Sequence, residues 1–175
     1  MLFCLFLLSF YSRYAWHSFI FPPLTPTIMD TVRHLLKNKG ADVWSVAPED
    51  TVFTALEIMA EKNVGALPVM ENDQLVGIFS ERDYARKVIL MGRSSKSTTV
   101  KELMTRRVFH VKPQRSVQDC MKLMTSHHVR HLPVMEYGRL VGIITIGDVV
   151  KSLISEQMRT IEDLETYITG GYSTH

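Results

Sequence analysis

Leu67-Pro68-Val69-Met70-Glu71 is spelled again, letter for letter, at Leu132-Pro133-Val134-Met135-Glu136. A few residues on, Leu75-Val76-Gly77-Ile78 returns as Leu140-Val141-Gly142-Ile143. Both repeats share an offset of 65 residues. At that offset Val43–Val88 lies over Val108–Leu153 without a gap, and about sixteen of roughly 46 positions are identical. Agreement at that level marks two copies of one unit. Only two copies of so long a period make a pseudo-symmetric pair, not a solenoid.

Working outward, each copy reads in the same order. Val43–Val46 and Val108–Val111 are short extended segments, ended by Pro48 and Pro113, which cannot donate to a ladder. Thr51 and Ser116 stand at N-cap positions. Behind them Val52, Leu56, Met59 and Ala60, and again Val117, Met121 and Met124, recur at helical spacing. Ala66–Met70 and Leu75–Phe79 then form two apolar strands around Glu71-Asn72-Asp73-Gln74. His131–Met135 and Leu140–Ile144 do the same around Glu136-Tyr137-Gly138-Arg139. Tyr84, Val88 and Leu90 carry a helix out of the first copy; Val149, Leu153 and Ile154 carry one out of the second. A lead-in precedes each copy, Thr31-Val32-Arg33-His34-Leu35-Leu36 and Thr99-Val100-Lys101-Glu102-Leu103-Met104. Its offset is three residues longer, which places Asn38-Lys39-Gly40 in a turn. The expected fold is α+β: two β-α-β-β-α units, packed sheet to sheet.

The second strand of each copy runs into Gly-x-x-[Ser/Thr]-x-x-Asp, first as Gly77 to Ser80 and Asp83, then as Gly142 to Thr145 and Asp148. A glycine at a strand exit allows close approach to the backbone. A hydroxyl at a helix start, beside free N–H groups, suits a phosphate. A carboxylate in the first turn can accept from two ribose hydroxyls. The same residues also suit plain helix caps, worth about 1 kcal/mol each, and spacing alone does not choose between cap and site.

Taken together, the lead-in, the two strands and the Gly-x-x-[Ser/Thr]-x-x-Asp ending resemble the CBS domain family, twice over, across about residues 31–155. Such pairs, known as Bateman modules, bind AMP, ADP, ATP or S-adenosylmethionine in clefts between the repeats. The resemblance implies phosphate contacts from Ser80 and Thr145, ribose contacts from Asp83 and Asp148, and an adenine slot lined by Val43, Val46, Val108 and Val111. Arg130 and His131 would hold phosphates, whereas the matching Gly65 and Ala66 cannot, so one cleft is expected to dominate. It further implies a homodimer and a non-catalytic regulatory role on a separate protein, with the nucleotide as regulatory ligand and not an obligatory cofactor. The competing expectation is a dimerisation or scaffold protein whose sites are vestigial caps.

The totals are those of an ordinary globular protein. Twenty basic residues against 18 acidic leave no concentrated basic footprint for nucleic acid. The basic cluster Arg86, Lys87, Arg93, Lys96, Lys101, Arg106, Arg107, Lys112 and Arg115 reads as a solvated face around the linker or, as the alternative, as guidance for a phosphate ligand. Cys4 and Cys120 form no framework and no metal spacing. His127, His128 and His131 form no expected metal site, since Pro133 and the strand pattern put His131 off the helix and no Cys or carboxylate supplies a third ligand. No nucleophile–base pair, Walker-type loop or magnesium-binding carboxylate cluster is recognisable, so no enzyme is expected.

The expected organisation is an apolar extension over 1–28, a first repeat with lead-in over 29–91, a linker over 92–98, a second repeat over 99–155 and a tail over 156–175. Residues 1–28 fit a signal peptide, a membrane span and a mitochondrial presequence poorly. A start at Met29 and a cytoplasmic protein are therefore expected, with a mitochondrial or membrane-associated leader as the alternative. In the tail, Ile161, Leu164 and Ile168 stand at helical spacing, to dock on a partner protomer or to cover their own domain.

Overall fold

The computed structural model describes residues 30–40 and 42–170; the expectations for residues 1–28 lie outside them. The elements are α1 (Val32–Lys39), α2 (Val52–Lys62), β1 (Ala66–Glu71), β2 (Gln74–Ser80), α3 (Glu81–Tyr84) and a π-helical turn at Ala85–Ile89. They continue with α4 (Val100–Leu103), α5 (Val117–His127), β3 (His131–Glu136), β4 (Arg139–Thr145) and α6 (Ile146–Gly170). The mixed architecture is the α+β fold expected.

Local chemistry sets the ends of the elements. Thr51 Oγ1 accepts from the Thr54 N–H, and Ser116 Oγ from the Asp119 N–H, which starts α2 and α5. Both helices stop at a left-handed residue, Asn63 and His128. The hairpin β1–β2 turns on Asn72-Asp73, both at positive φ; β3–β4 turns on Tyr137-Gly138. Asn, Asp and Gly suit that conformation, whereas Tyr137 adopts it as a residue 97% exposed.

The extended segments before α2 and α5 contribute less than full strands. Val46 N–H donates to Pro68 O and Val46 O accepts from Met70 N–H, and Val111 makes the matching pair with Pro133 and Met135. One residue per repeat thus extends each hairpin, and the two sheets meet along β2 and β4.

The lead-ins exchange places. Val32 and Leu35 of α1 are buried in the core of the second repeat, with Val117, Met124, Leu132 and Ile144. Val100, Leu103 and Met104, around α4, are buried in the core of the first, with Val52, Met59, Leu67 and Phe79. Each such buried side chain contributes about 1.5–3 kcal/mol. Backbone hydrogen bonds fasten the exchange. Val32 N–H donates to Arg115 O while Val117 N–H donates to Asp30 O; Val100 and Val52 repeat this with Asp50 O and Thr98 O. The helix starts of lead-in and repeat thereby satisfy each other's unpaired N–H groups. The linker is docked as well, since Phe53 N–H donates to Ser95 O and Thr98 is buried.

No break marks residue 156. α6 runs unbroken for 25 residues, about 37 Å. Val149 and Glu156 face its own domain and are buried. Ile161, Leu164 and Ile168 are exposed, so the tail does not cover its own domain with them.

Candidate ligand-binding site

Both Gly-x-x-[Ser/Thr]-x-x-Asp endings fold as caps. At Ser80 the backbone N–H and the hydroxyl donate to Asp83 Oδ2 at 3.1 and 2.6 Å, and the Asp83 N–H returns a bond to Ser80 Oγ at 3.3 Å. At Thr145 the N–H and hydroxyl each donate to Asp148 Oδ2 at 2.8 Å, with the Asp148 N–H returning at 3.2 Å. Each carboxylate also meets a lysine. Lys87 Nζ lies 2.7 Å from Asp83 Oδ1 and donates to Leu103 O. Lys39 Nζ lies 2.6 Å from Asp148 Oδ2 and donates to Ile143 O. Both oxygens of Asp83 are therefore engaged, whereas the bonds to Asp148 all fall on Oδ2.

Sequence reasoning missed these two lysines as site residues. Lys87 was legible, standing four residues after Asp83 on a helical stretch. Lys39 was not, because α1 crosses to the other repeat; it is the last helical residue, with Gly40 at φ 95° closing the helix.

The second ending is the better supplied. It opens a 25-residue helix, whereas α3 has four residues and passes into a π turn; a longer aligned run holds more positive potential at its start. A cavity of about 350 Å³ opens beside Asp148 between α1 and α6, lined also by Asp30, Lys39, Lys151 and Arg159. Partial burial works against ionisation of Asp148, but the donors Lys39 and Thr145 hold its pKa below the ordinary carboxylate value.

Arg130 and His131 stand next to this ending, since His131 pairs with Thr145 across the β3–β4 ladder and Arg130 O accepts from the Ile146 N–H. Burial, aided by the charges of Lys39 and Arg130 and opposed by Asp148, lowers the His131 pKa. The matching residue Ala66 pairs with Ser80 and brings no charge. His131 also faces the first repeat: a Cβ on Gly65 would lie 3.6 Å from His131 Nε2 and 3.5 Å from Glu81 Oε2. The first ending thus has an acid, Glu81, where the second has Ile146.

The other expected residues divide. A Cβ on Gly77 would stand 2.5 Å from Met104 Sδ, and one on Gly142 2.7 Å from a Leu36 methyl. The close approach those glycines permit is made by the exchanged lead-ins. Val46 and Val111 are buried in the two cores, and Val43 and Val108 remain half-buried. His127 stacks on Phe109 at 4.1 Å, apart from His131 on its strand. Among the described residues no group of three His, Cys, Asp or Glu side chains is placed to hold a metal. Burial pushes the Cys120 thiol up to about 11, the reverse of an activated nucleophile.

Three comparisons bear on this arrangement. The family model for the CBS domain matches residues 30–89 and again 100–155. Among characterised sequences, the chain is 41% identical over 152 residues to the mitochondrial CBS domain-containing protein CBSX3 of Arabidopsis thaliana, covering 81% of this chain and 73% of that one. Among solved structures, it is 50% identical to a candidate signal-transduction protein with CBS domains from Burkholderia ambifaria, with a TM-score of 0.70 over 73% of this chain and 96% of that one. It is 32% identical to Hypoxic Response Protein I, solved with two coordinated zinc ions, with a TM-score of 0.60 over 71% of this chain and 99% of that one.

Proposed function

The chain belongs to the CBS domain family, and from that premise we propose that it is a non-catalytic regulatory protein that senses an adenosine nucleotide. The ligand sits at the Thr145–Asp148 ending and changes the affinity of the protein for a separate partner. One observation carries this reading: Arg130 and His131 stand next to Thr145 and Asp148, and Lys39 and Asp148 line a cavity, while the first ending, though it has Lys87, has Gly65 and Ala66 in the places of Arg130 and His131 and the acid Glu81 in that of Ile146. Two cations, Lys39 and Arg130, and the imidazole of His131 at the start of a long helix suit a phosphate-bearing ligand. Asp148 Oδ1, which accepts no bond from the described residues, is free for ribose. The similarity to a candidate signal-transduction protein supports regulation. Nucleotide biases the module only as far as it binds two of its states unequally, and partner affinity changes by that same factor.

A second reading has its own observation. Every Ser, Thr and Asp of the two endings is already engaged as a cap, which is what a scaffold with vestigial sites requires. Thermal unfolding with AMP, ADP, ATP or S-adenosylmethionine separates the two. A ligand at a hundredfold its dissociation constant adds about 2.7 kcal/mol, or roughly 5–10 °C for a domain pair of this size. The sensor requires a shift that Asp148→Ala removes and Asp83→Ala leaves largely intact. No shift at millimolar ligand establishes the scaffold. As to location, the name of the Arabidopsis relative favours a mitochondrial address over the cytoplasm. Fluorescent fusions with and without residues 1–28 decide between them.

A further inference from the structure

Where β3 turns into β4, at the end of the second repeat away from Thr145, lies a cavity of about 470 Å³. Glu136 at this turn stands five residues along β3 from His131, about 17 Å from the candidate ligand site. Pro113 and Met135 line the apolar part of the cavity, with His110, Lys112, Tyr137 and Gly138 around them.

The first repeat builds the same turn and shows what the second has changed. At the offset of 65, Ser45, Ala47, Glu49, Asn72, Asp73 and Gln74 become His110, Lys112, Gln114, Tyr137, Gly138 and Arg139. Two acids are lost, and two cations and an imidazole are gained. The acid that both turns keep is occupied in the second: Arg33 donates to Glu136 Oε1 at 2.6 Å and Gln114 at 3.4 Å. In the first repeat the corresponding lead-in residue, Lys101, is drawn to Glu49 instead. Lys112 and Arg139 are exposed and meet no acid among the described residues. Their charge is left to act on something outside the chain.

Tyr137 is a second, independent sign. It sits at φ 50°, where Asn72 sits at 49° in the first turn. Asparagine tolerates that left-handed conformation, whereas tyrosine meets its steric penalty. No burial offsets the penalty, because Tyr137 is 97% exposed. An aromatic residue held at a cost beside a cavity, with cations next to it, suits contact with a partner.

The chemistry selects that partner. The apolar part of the cavity takes an apolar side chain, and Lys112, Arg139 and His110 take carboxylates on either side of it. Two cations are too few to follow a nucleic-acid backbone, which calls for a longer basic stripe. Residues 1–29 and 171–175 contain no acid, so they do not supply the segment. We propose that the β3–β4 turn docks a separate protein through an acidic segment that carries an apolar side chain between its carboxylates. The claim does not depend on nucleotide binding.

The test selects a random peptide library displayed on phage against the immobilised full chain. Enriched peptides should carry Asp or Glu on both sides of a large apolar residue. One of them, made synthetically, should shift the amide resonances of Lys112, Tyr137 and Gly138 and leave those of Thr145 and Asp148 in place. Lys112→Ala with Arg139→Gln, which installs the residues of the first repeat, should weaken the peptide about tenfold or more at low salt. Tyr137→Asn should weaken it about tenfold or more while raising the midpoint of thermal unfolding, a pairing that a purely structural tyrosine would not give. No acidic enrichment, a peptide indifferent to these changes, or a midpoint lowered by Tyr137→Asn overturns the proposal. A single-stranded oligonucleotide that displaces the peptide overturns it in favour of nucleic acid. Altered sedimentation of the protein alone on Tyr137→Asn overturns it in favour of a second copy.

Discussion

Lys39 donates to Asp148 at 2.6 Å although the two residues are 109 apart in the chain. The contact exists because α1, which leads into the first repeat in sequence, is built into the second. In the first repeat the equivalent charge comes from Lys87, four residues from its aspartate. The same electrostatic need is met once locally and once across the molecule. The two endings are therefore not copies at the level where a ligand would meet them.

Replacing Lys39 by methionine separates charge from shape. Loss of one charge-assisted hydrogen bond, about 1.5 kcal/mol, should weaken AMP, ADP or ATP about tenfold and leave uncharged adenosine nearly unaffected. Isothermal titration of the variant against all four ligands measures this. Equal weakening of adenosine would show that Lys39 shapes the site instead of attracting phosphate.

His131 should make stability depend on pH. Its pKa is lowered in the fold by burial and by the neighbouring charges of Lys39 and Arg130, whereas an unfolded histidine titrates near 6.5. Between those two values the unfolded chain holds the extra proton, so stability is complete above about pH 6.5 and is lost as pH falls through the folded value. Urea unfolding between pH 5 and 8 (a range around that reference value) should show this slope, and His131→Gln should flatten it.

Gly142→Ala should destabilise by about 1–3 kcal/mol through overpacking, because its Cβ would fall 2.7 Å from Leu36. Leu36→Ala in the same chain should restore part of the loss. A double-mutant cycle that is additive within about 0.5 kcal/mol would mean that the two residues do not compete for that space.

Leu35→Ala should cost about 2–5 kcal/mol, and its effect should appear in the repeat it does not precede. Leu35 packs with Val117, Met124 and Leu132, so amide exchange should accelerate first in α5 and β3–β4, with β1–β2 protected longer. The opposite order would place α1 on the repeat that follows it.

Much of this was legible in the letters of the chain. The repeated Leu-Pro-Val-Met-Glu strand, the caps at Thr51 and Ser116 and the two hairpin turns are all local chemistry, and each forms where its residues demand. What was hidden is non-local. Val32 and Val100 read as buried helix positions whichever repeat receives them, so the exchange of lead-ins leaves no trace in periodicity. The glycines show the consequence: room at Gly77 and Gly142 reads as an opening for a ligand, yet Met104 and Leu36 fill it. The segments ending at Val46 and Val111 read as strands because valine alternation does not reveal that one residue alone will find a partner. At the candidate site, Thr145, Asp148, Arg130 and His131 were legible from motif and repeat comparison, while Lys39 required the fold.

The exchange also sets an order of events during synthesis. A domain that contained all its own core residues could close as soon as it left the ribosome, as N-terminal domains generally do. The first repeat cannot, since Val100, Leu103 and Met104 belong to its core and are made after the whole of β1 and β2. The second repeat has the reverse advantage, for Val32 and Leu35 are waiting before its first residue emerges. Until the chain has passed Met104, a nascent polypeptide carries an open apolar face on β1–β2 and an unclaimed α1. A neighbouring nascent chain offers the matching parts. Elongation between β2 and Met104 on a crowded polysome is thus the interval in which this protein can trade lead-ins with a sibling, and slow elongation after Thr98 should increase the yield of such interlinked pairs.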